Sequence, residues 1–438
     1  MLKVTKFGGS SVSDASQFRK VKAIIESDES RRIAVISAAG KRNSEDHKLT
    51  DLLYLCHAHL TYGVSCDEIF NTIASRFIEI RDELGLSFRV EDEIDAIRKS
   101  LNRDMSVDEL VSRGEYLTSR LMAEFLGFHF LDARDCIFMD YDGSFDMVKI
   151  SSAVSEALAE YGNLVIPGFY GRIPSGKVRV MSRGGSDITG ALAASAVKAD
   201  VYENWTDVSG ILMADPRIVK NPRPISRITY GELRELAFMG ASVLHEDAVQ
   251  PVRESGIALN IRNTNEPDNP GTLIVERIDG DSKEDGRFIT GIAGRRNFDI
   301  ITVVKHNMDC NEGLRKVLKI LDQNNTPVEH ISMGLDSFAF VISQAAVGNR
   351  LDGVVAEIRN AISPDDIKIR DGIALVAAVG RKMGFRPGIS GKLFKALGEN
   401  GVNIRTIAQD ADELSIIVGV ENSQYETAVR VLYEGFAG

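Results

Sequence analysis

Short apolar runs alternate with longer segments of helical periodicity through the first half of the chain. The runs RRIAVISAAG (31–40), YGNLVIPGFYG (161–171) and KVRVMSRGGS (177–186) each end in small or polar residues. Such runs are typical of buried strands that stop at a turn. The small-residue stretch TGALAASAVKA (189–199) predicts a helix after the last of them. This alternation predicts a three-layer α/β/α body with a mainly parallel sheet.

The C-terminal third contains an internal repeat. LRKVLKILDQNN (314–325) aligns with SGKLFKALGENG (390–401) at an offset of 76 residues, which also places Asp336 against Asp412. In each copy apolar residues recur at helical spacing, and an Asn-rich stop and short apolar runs follow. Each copy therefore predicts a small α+β module of strand, helix, strand and strand.

A turn-rich, charged stretch separates the body from the repeat. NEPDNPGTLI (265–274) and DGDSKEDGR (279–287) combine turn residues with a run of charges, which is typical of a domain boundary. We therefore expect a body over 1–285, a linker strand with a first module over 286–370, and a second module over 371–438. The strand-like ITGIAG, within 288–296, is a candidate to complete the second module.

Composition narrows the class of partner. Acidic residues outnumber basic ones by 63 to 52, for a net charge of −11 at pH 7, whereas nucleic-acid-binding surfaces carry a basic patch. Four cysteines lack CxxC spacing, and His245 and His330 lack the spacing of ligands, so no protein-held metal site is indicated. Because neither a secretory leader nor an apolar run of about 18 residues is visible, we expect a cytoplasmic chain without a membrane or nucleic acid partner.

Three polar stretches interrupt the strand pattern where ligands bind in α/β proteins. KFGGSS (6–11) and SRGGSD (182–187) place glycines and hydroxyls between a strand and a helix, and WTDVSGILMADPR (205–217) follows another strand. A helix start presents free N–H groups and a positive dipole end, which suit an anion. Each stretch alone is as easily a simple turn, but together they indicate a phosphate site. GRIPSGKV (171–178) imitates a P-loop, yet a strand-like VRV follows it, so it predicts a hairpin.

These motifs, with SRGE (112–115) and the tandem repeat, resemble the aspartate kinases of the amino acid kinase superfamily over essentially the whole chain. The resemblance implies a carbamate kinase-like α/β body followed by two ferredoxin-like ACT modules. It also implies phosphorylation of the side-chain carboxylate of L-aspartate by ATP and Mg²⁺. The product would be 4-phospho-L-aspartate, the first intermediate toward lysine, threonine and methionine.

The resemblance also implies roles for individual residues. Lys6 would be the catalytic cation and Asp187 its organiser. Arg183 would grip the α-carboxylate of aspartate and Glu115 its α-amino group. The substrate side comprises Ser37, Thr50, Glu115, Arg183 and Ser186. The ATP side comprises Lys6, Gly8, Gly9, Ser10, Thr206, Asp207, Asp215 and Arg217.

Two departures from the family pattern keep other hypotheses open. Ser242 stands where many relatives carry a phosphate-facing lysine, and Leu212 where some carry a tyrosine. An amino acid sensor with a degenerate kinase body is therefore one alternative. Another amino acid kinase is a second, although it gives no reason for SRGE together with two ACT modules.

The repeat implies regulation. ACT modules in this family pair edge to edge and bind an end-product amino acid, so we expect feedback inhibition, with lysine as the effector, and a homodimer or larger assembly. A platform used only for dimerisation is the alternative. Candidate effector contacts flank the first helix of the repeat at Met308, Asn311, Gly313, Val328 and Glu329.

Overall fold

The computed structural model describes residues 1–182, 184–241, 246–278, 289–306, 309–381, 383, 387–409 and 414–437. The chain forms two compact units. The first comprises 1–211, 224–230 and 243–279, and the second comprises 212–223, 231–242 and 280–438. Within the described ranges, no helix has the length and apolar character needed to cross a membrane.

The first 278 residues contain twelve strands and eleven α-helices among those described. The strands are β1 (Lys3–Phe7), β2 (Arg31–Ile36), β3 (His129–Phe130), β4 (Leu164–Pro167), β5 (Tyr170–Arg172), β6 (Val178–Val180), β7 (Val201–Thr206), β8 (Ile211–Leu212), β9 (Pro224–Ile225), β10 (Arg227–Thr229), β11 (Ala258–Asn263) and β12 (Thr272–Val275). The helices are α1 (Ala15–Glu26), α2 (Leu49–Tyr62), α3 (Asp67–Leu84), α4 (Val90–Ser100), α5 (Val107–Val111), α6 (Arg113–Leu126), α7 (Ala133–Cys136), α8 (Met147–Tyr161), α9 (Gly185–Ala196), α10 (Tyr230–Phe238) and α11 (Glu246–Glu254).

Eight of these strands form one sheet in the order β10-β12-β11-β7-β1-β2-β4-β3. All neighbouring pairs are parallel except β11 with β12. Strand β1 lies between β2 and β7, so the chain order reverses there, and ligands bind at such a point beyond the carboxyl ends of the strands. The GRIPSGKV prediction is confirmed, because β5 and β6 form an antiparallel hairpin.

The strand ends meet closely at this point. The Gly40 N–H donates to the Gly9 carbonyl at 2.8 Å, and a Cβ on Gly40 would lie 2.6 Å from the Gly9 carbonyl carbon. Both positions require glycine because the loops after β1 and β2 touch through their backbones. The KFGGSS turn is therefore fixed against the turn that follows RRIAVI.

The second unit is built on one antiparallel sheet. Its strands are β13 (Gly291–Val304), β14 (Val328–Met333), β15 (Ser337–Ser343), β16 (Asp366–Val379), β17 (Thr406–Gln409) and β18 (Ser415–Glu421), in the order β14-β15-β13-β16-β18-β17. Its helices are α12 (Cys310–Gln323), α13 (Gln344–Val347), α14 (Leu351–Ile362), α15 (Ile389–Glu399) and α16 (Tyr425–Ala437).

Two ferredoxin-like modules share this sheet. Residues 298–304 of β13 pair with β15 and with the start of β16. Residues 291–295, which begin inside the ITGIAG segment, pair with the end of β16 in the second module. The predicted boundary at 370 thus falls inside the continuous strand β16, and the one at 285 lies outside the described residues. A mainly parallel body followed by antiparallel α+β modules confirms the predicted fold class.

Candidate active site

Lys6 places a buried ammonium near the carboxyl end of β1. The residue is only 7% exposed, and Nζ lies 2.6 Å from Asp187 Oδ1. It also donates a longer hydrogen bond, at 3.5 Å, to Asn204 Oδ1 on the neighbouring strand β7, where Asn204 is in register with Lys6. A buried charge is costly unless it is paired, so the ion pair with Asp187 offsets the cost of burying this ammonium where the strands end.

Asp187 is itself held from two directions. The Asn204 amide donates to its Oδ1 at 2.9 Å, and the Tyr202 hydroxyl donates to its backbone carbonyl at 3.0 Å. The carboxylate lies in the first turn of α9, where the helix dipole favours a negative charge. Asn204 was not among the predicted site residues, although a polar side chain inside the buried strand VYENWT is a signal that could have identified it.

The turn after β1 is only partly available for phosphate contacts. The Gly8 N–H donates to the Trp205 carbonyl at 3.0 Å, so this predicted contact is already engaged. Gly9 and Ser10 begin a single 3₁₀ turn, where N–H groups lack an intrahelical partner. A Cβ on Gly8 would lie 3.5 Å from Lys6 Nζ, so the turn backbone lies directly beside the ammonium.

Glu115 presents a buried carboxylate with spare hydrogen-bonding capacity. It lies in the first turn of α6 and is 4% exposed. The Ala38 backbone N–H donates to it, whereas its Oε2 has no hydrogen-bond partner among the described residues. Burial raises the pKa of Glu115 to about 8. A carboxylate in this state is suited to a ligand that brings its own positive charge.

The other predicted substrate residues lie at the ends of adjacent strands and helices. Ser37 follows β2, and its N–H donates to the Phe7 carbonyl at 3.2 Å. Ser186, in the first turn of α9, packs so closely on Gly168 that a Cβ there would lie 2.6 Å from the serine Oγ. Thr50 is half-buried in the first turn of α2. Arg183 lies outside the described residues.

The predicted nucleotide residues divide between the two units. Thr206 ends β7, and its hydroxyl donates to the exposed Asp207 at 3.1 Å. Asp215 and Arg217 belong to the second unit, where Arg217 Nη2 lies 2.6 Å from Asp215 Oδ2. The Arg217 hydrogen bond lowers the pKa of Asp215. Ser242 lies outside the described residues, and Leu212 ends β8.

The predicted effector residues lie around α12 in the second unit. Asn311 and Gly313 are in its first turn, and Val328 begins β14. The neighbouring Glu329 is ion-paired with Arg295 at 2.6 Å, so a cationic effector would have to compete with that arginine. Met308 lies outside the described residues.

This arrangement can perform electrostatic catalysis. A carboxylate acceptor is already ionised at neutral pH because its ordinary pKa is about 4, so no general base is needed. The described residues also contain no cluster of three or more histidine, cysteine or acidic side chains able to hold a metal ion. What the site offers is a fixed cation on a strand end and a buried carboxylate, which fits transfer of an anionic group to an amino acid.

Comparison with known proteins identifies the family. Residues 1–263 match the amino acid kinase family, and residues 376–436 match the ACT domain. The chain is 33% identical to aspartokinase 3 of Bacillus subtilis, with 99% of this chain and 98% of that protein covered. It is 44% identical to the solved aspartate kinase of Clostridium acetobutylicum, with a TM-score of 0.91 and 99% of each chain covered.

Escherichia coli aspartokinase III is a more distant solved relative. It is 26% identical over all of both chains, and its complexes with aspartate and ADP and with lysine and aspartate give TM-scores of 0.75 and 0.76. Family matches across the body and full-length similarity to named enzymes agree with the geometry around Lys6. The chain therefore belongs to the aspartokinases of the amino acid kinase family.

Proposed function

We propose that this aspartokinase uses Lys6 as the cation that meets the phosphates of ATP while the side-chain carboxylate of L-aspartate attacks the γ-phosphoryl group. The product is 4-phospho-L-aspartate together with ADP. The observation that carries the proposal is the paired Lys6 ammonium, fixed by Asp187 and Asn204 where the strand order reverses.

The chemistry requires cations rather than a base. An anionic nucleophile must approach an anionic phosphoryl group in line, so positioning and charge neutralisation supply the rate enhancement. Lys6 needs no reorganisation for this because its ammonium is already held in place. Mg²⁺ would be carried largely by the phosphate oxygens and would neutralise part of their charge.

Glu115 supports recognition of an amino acid at the acceptor side. Its buried Oε2, which has no hydrogen-bond partner within the described part of the chain, would accept a hydrogen bond from the substrate α-ammonium. We assign Ser37, Thr50 and Ser186 to the same substrate, with Arg183 gripping the α-carboxylate. We assign Thr206, Asp207, Asp215 and Arg217 to the nucleotide, together with the turn at Gly8, Gly9 and Ser10.

We also propose feedback control by an end-product amino acid through the ACT modules, in a homodimer or larger assembly. Lysine is the first candidate because the Escherichia coli relative is solved with lysine. The enzyme would then open the route to lysine, threonine and methionine in the cytoplasm.

A hydroxylamine trap tests this function. Purified full-length protein is incubated with MgATP, hydroxylamine and either L-aspartate or L-glutamate, and the acyl hydroxamate and ADP are measured. We expect hydroxamate that depends on aspartate and Mg²⁺, and a lower rate when lysine is added. Hydroxamate from glutamate alone would identify another amino acid kinase, and ATP-independent lysine binding without any hydroxamate would identify a sensor.

A further inference from the structure

A segment of the nucleotide-binding motif is folded into the second ACT module. Residues 212–223, which contain the DPR sequence, belong to the second unit. Ala214 and Val219 are 4% and 5% exposed and lie in the hydrophobic core that the second module forms. Ile218 packs against the same core. The residues on both sides of the Asp215–Arg217 pair are therefore core residues of the regulatory module.

Backbone hydrogen bonds fix both ends of this segment. The Ile292 N–H at the start of β13 donates to the Met213 carbonyl at 2.7 Å, and the Met213 N–H donates to the Arg223 carbonyl at 2.9 Å. The Arg223 N–H donates to the Tyr433 hydroxyl of α16 at 3.0 Å. The segment is thus a closed loop attached to one strand and one helix of the second module.

The polar pair at the tip of the loop is held in an exposed position. The Arg217 side chain is 87% exposed, and it forms a bidentate pair with Asp215, whose Oδ1 also accepts the Arg217 backbone N–H at 2.9 Å. An exposed charged pair on a loop that is anchored by apolar residues is the arrangement expected of side chains that are presented to a ligand.

We propose that the second ACT module is a positioning element for the nucleotide, whether or not an effector is bound, because its core holds the Asp215–Arg217 pair in place. This inference rests on the proposed role of that pair in nucleotide binding. Val219 is the positioning residue with the clearest test, since its side chain is buried in the hydrophobic core. Loosening it raises the KM for MgATP while the KM for aspartate and kcat change little.

Val431 provides a matched control. It lies on α16 in the same core, is 8% exposed, and loses the same two methyl groups when replaced by alanine. In full-length protein we expect Val219→Ala and Val431→Ala to lower the melting temperature by similar amounts. Only Val219→Ala should raise the KM for MgATP, by about fivefold or more, in the range usual for coupled sites. Tyr433→Phe removes one hydrogen bond to Arg223 and should raise the KM for MgATP about twofold. This variant replaces Val219→Ala in the test if Val219→Ala does not fold.

Steady-state kinetics with MgATP and aspartate varied separately give the two KM values for each variant. The rise in melting temperature that MgADP causes measures nucleotide binding independently of turnover. Equal KM values for MgATP in the two valine variants, whether both raised or both unchanged, would overturn the inference. So would an unchanged KM for MgATP in Arg217→Ala, because the pair would then not bind nucleotide. Failure of the proposed function is separate, since the wild-type protein would then form no hydroxamate at all.

Discussion

Replacing Glu115 by glutamine should stabilise the free enzyme while impairing its use of aspartate. The carboxylate is buried and has one oxygen without a partner among the described residues. Burial disfavours the charged form and raises the pKa of Glu115 from 4.5 to about 8. Glutamine keeps the shape of the side chain and removes the charge. The wild-type glutamate therefore lowers the folding stability of the free enzyme, and a cationic ligand would offset this cost.

The size of the effect depends on pH in a defined direction. Between pH 4.5 and 8 the folded protein retains a proton on Glu115 that the unfolded chain has lost, so wild-type stability falls as pH rises through this window. With those two pKa values the penalty on folding is on the order of 1 kcal/mol at pH 5.5 and about 4–5 kcal/mol at pH 9. The glutamine variant escapes this penalty, so its advantage grows by about 3 kcal/mol across the range.

Thermal melting of both proteins at a series of pH values measures this advantage. The midpoint difference should widen by about 6 °C between pH 5.5 and 9. In the same buffers the wild-type KM for aspartate should fall as pH rises toward 8, since the ammonium of aspartate binds the ionised carboxylate. The variant should show a raised KM for aspartate without that pH dependence. A midpoint difference that stays constant or reverses with pH would refute the reasoning, because Glu115 would then have a charge partner.

Three further changes test the surroundings of Lys6 and the control of the enzyme. Asn204→Ala removes the hydrogen bond to the Asp187 carboxylate. Hydrogen bonds to charged groups contribute about 1.5–3 kcal/mol, so kcat/KM should fall about tenfold to a hundredfold. An unchanged kcat/KM would show that Asn204 does not position Asp187. Gly190→Ala would place a Cβ 2.7 Å from the Tyr202 ring. The free energy of unfolding should therefore fall by about 1–3 kcal/mol, and kcat should also fall. An unchanged melting temperature would contradict this close packing. Lysine should inhibit the wild-type enzyme. Arg295→Ala breaks the ion pair with Glu329, so it should change the lysine concentration that gives half-maximal inhibition. Identical lysine inhibition curves for the two proteins would show that Glu329 is not part of the effector site.

The sequence predicted the parts of the site that depend on local motifs. KFGGSS and SRGGSD each predict a turn between a strand and a helix, and the structure joins them through Lys6 and Asp187. The alternation of strands and helices predicted the layered body, and the repeat predicted two α+β modules. These features follow from short-range patterning, which is readable in one chain.

Features that depend on strand order and register were not predictable in this way. Asn204 contacts Lys6 only because β7 lies beside β1 in the register that pairs these two residues. In the same register the Gly8 N–H donates a hydrogen bond to the Trp205 carbonyl. The sequence of the DPR segment likewise does not reveal that Val219 lies in the core of a module whose other strands begin about 70 residues later. Such contacts arise between distant segments, so no local pattern encodes them.

Lys6 is expected to act on the phosphates through its charge, and Lys3 offers the control. Both lysines lie on β1 and are ion-paired, Lys6 with Asp187 and Lys3 with Asp28. The measurement is kcat for aspartyl hydroxamate formation by Lys6→Met and Lys3→Met, each with its melting temperature. We predict that kcat falls at least about a hundredfold in Lys6→Met and stays within about twofold of wild type in Lys3→Met, with both variants folded. A folded Lys6→Met enzyme that retains wild-type kcat would show that phosphoryl transfer does not need the charge of Lys6.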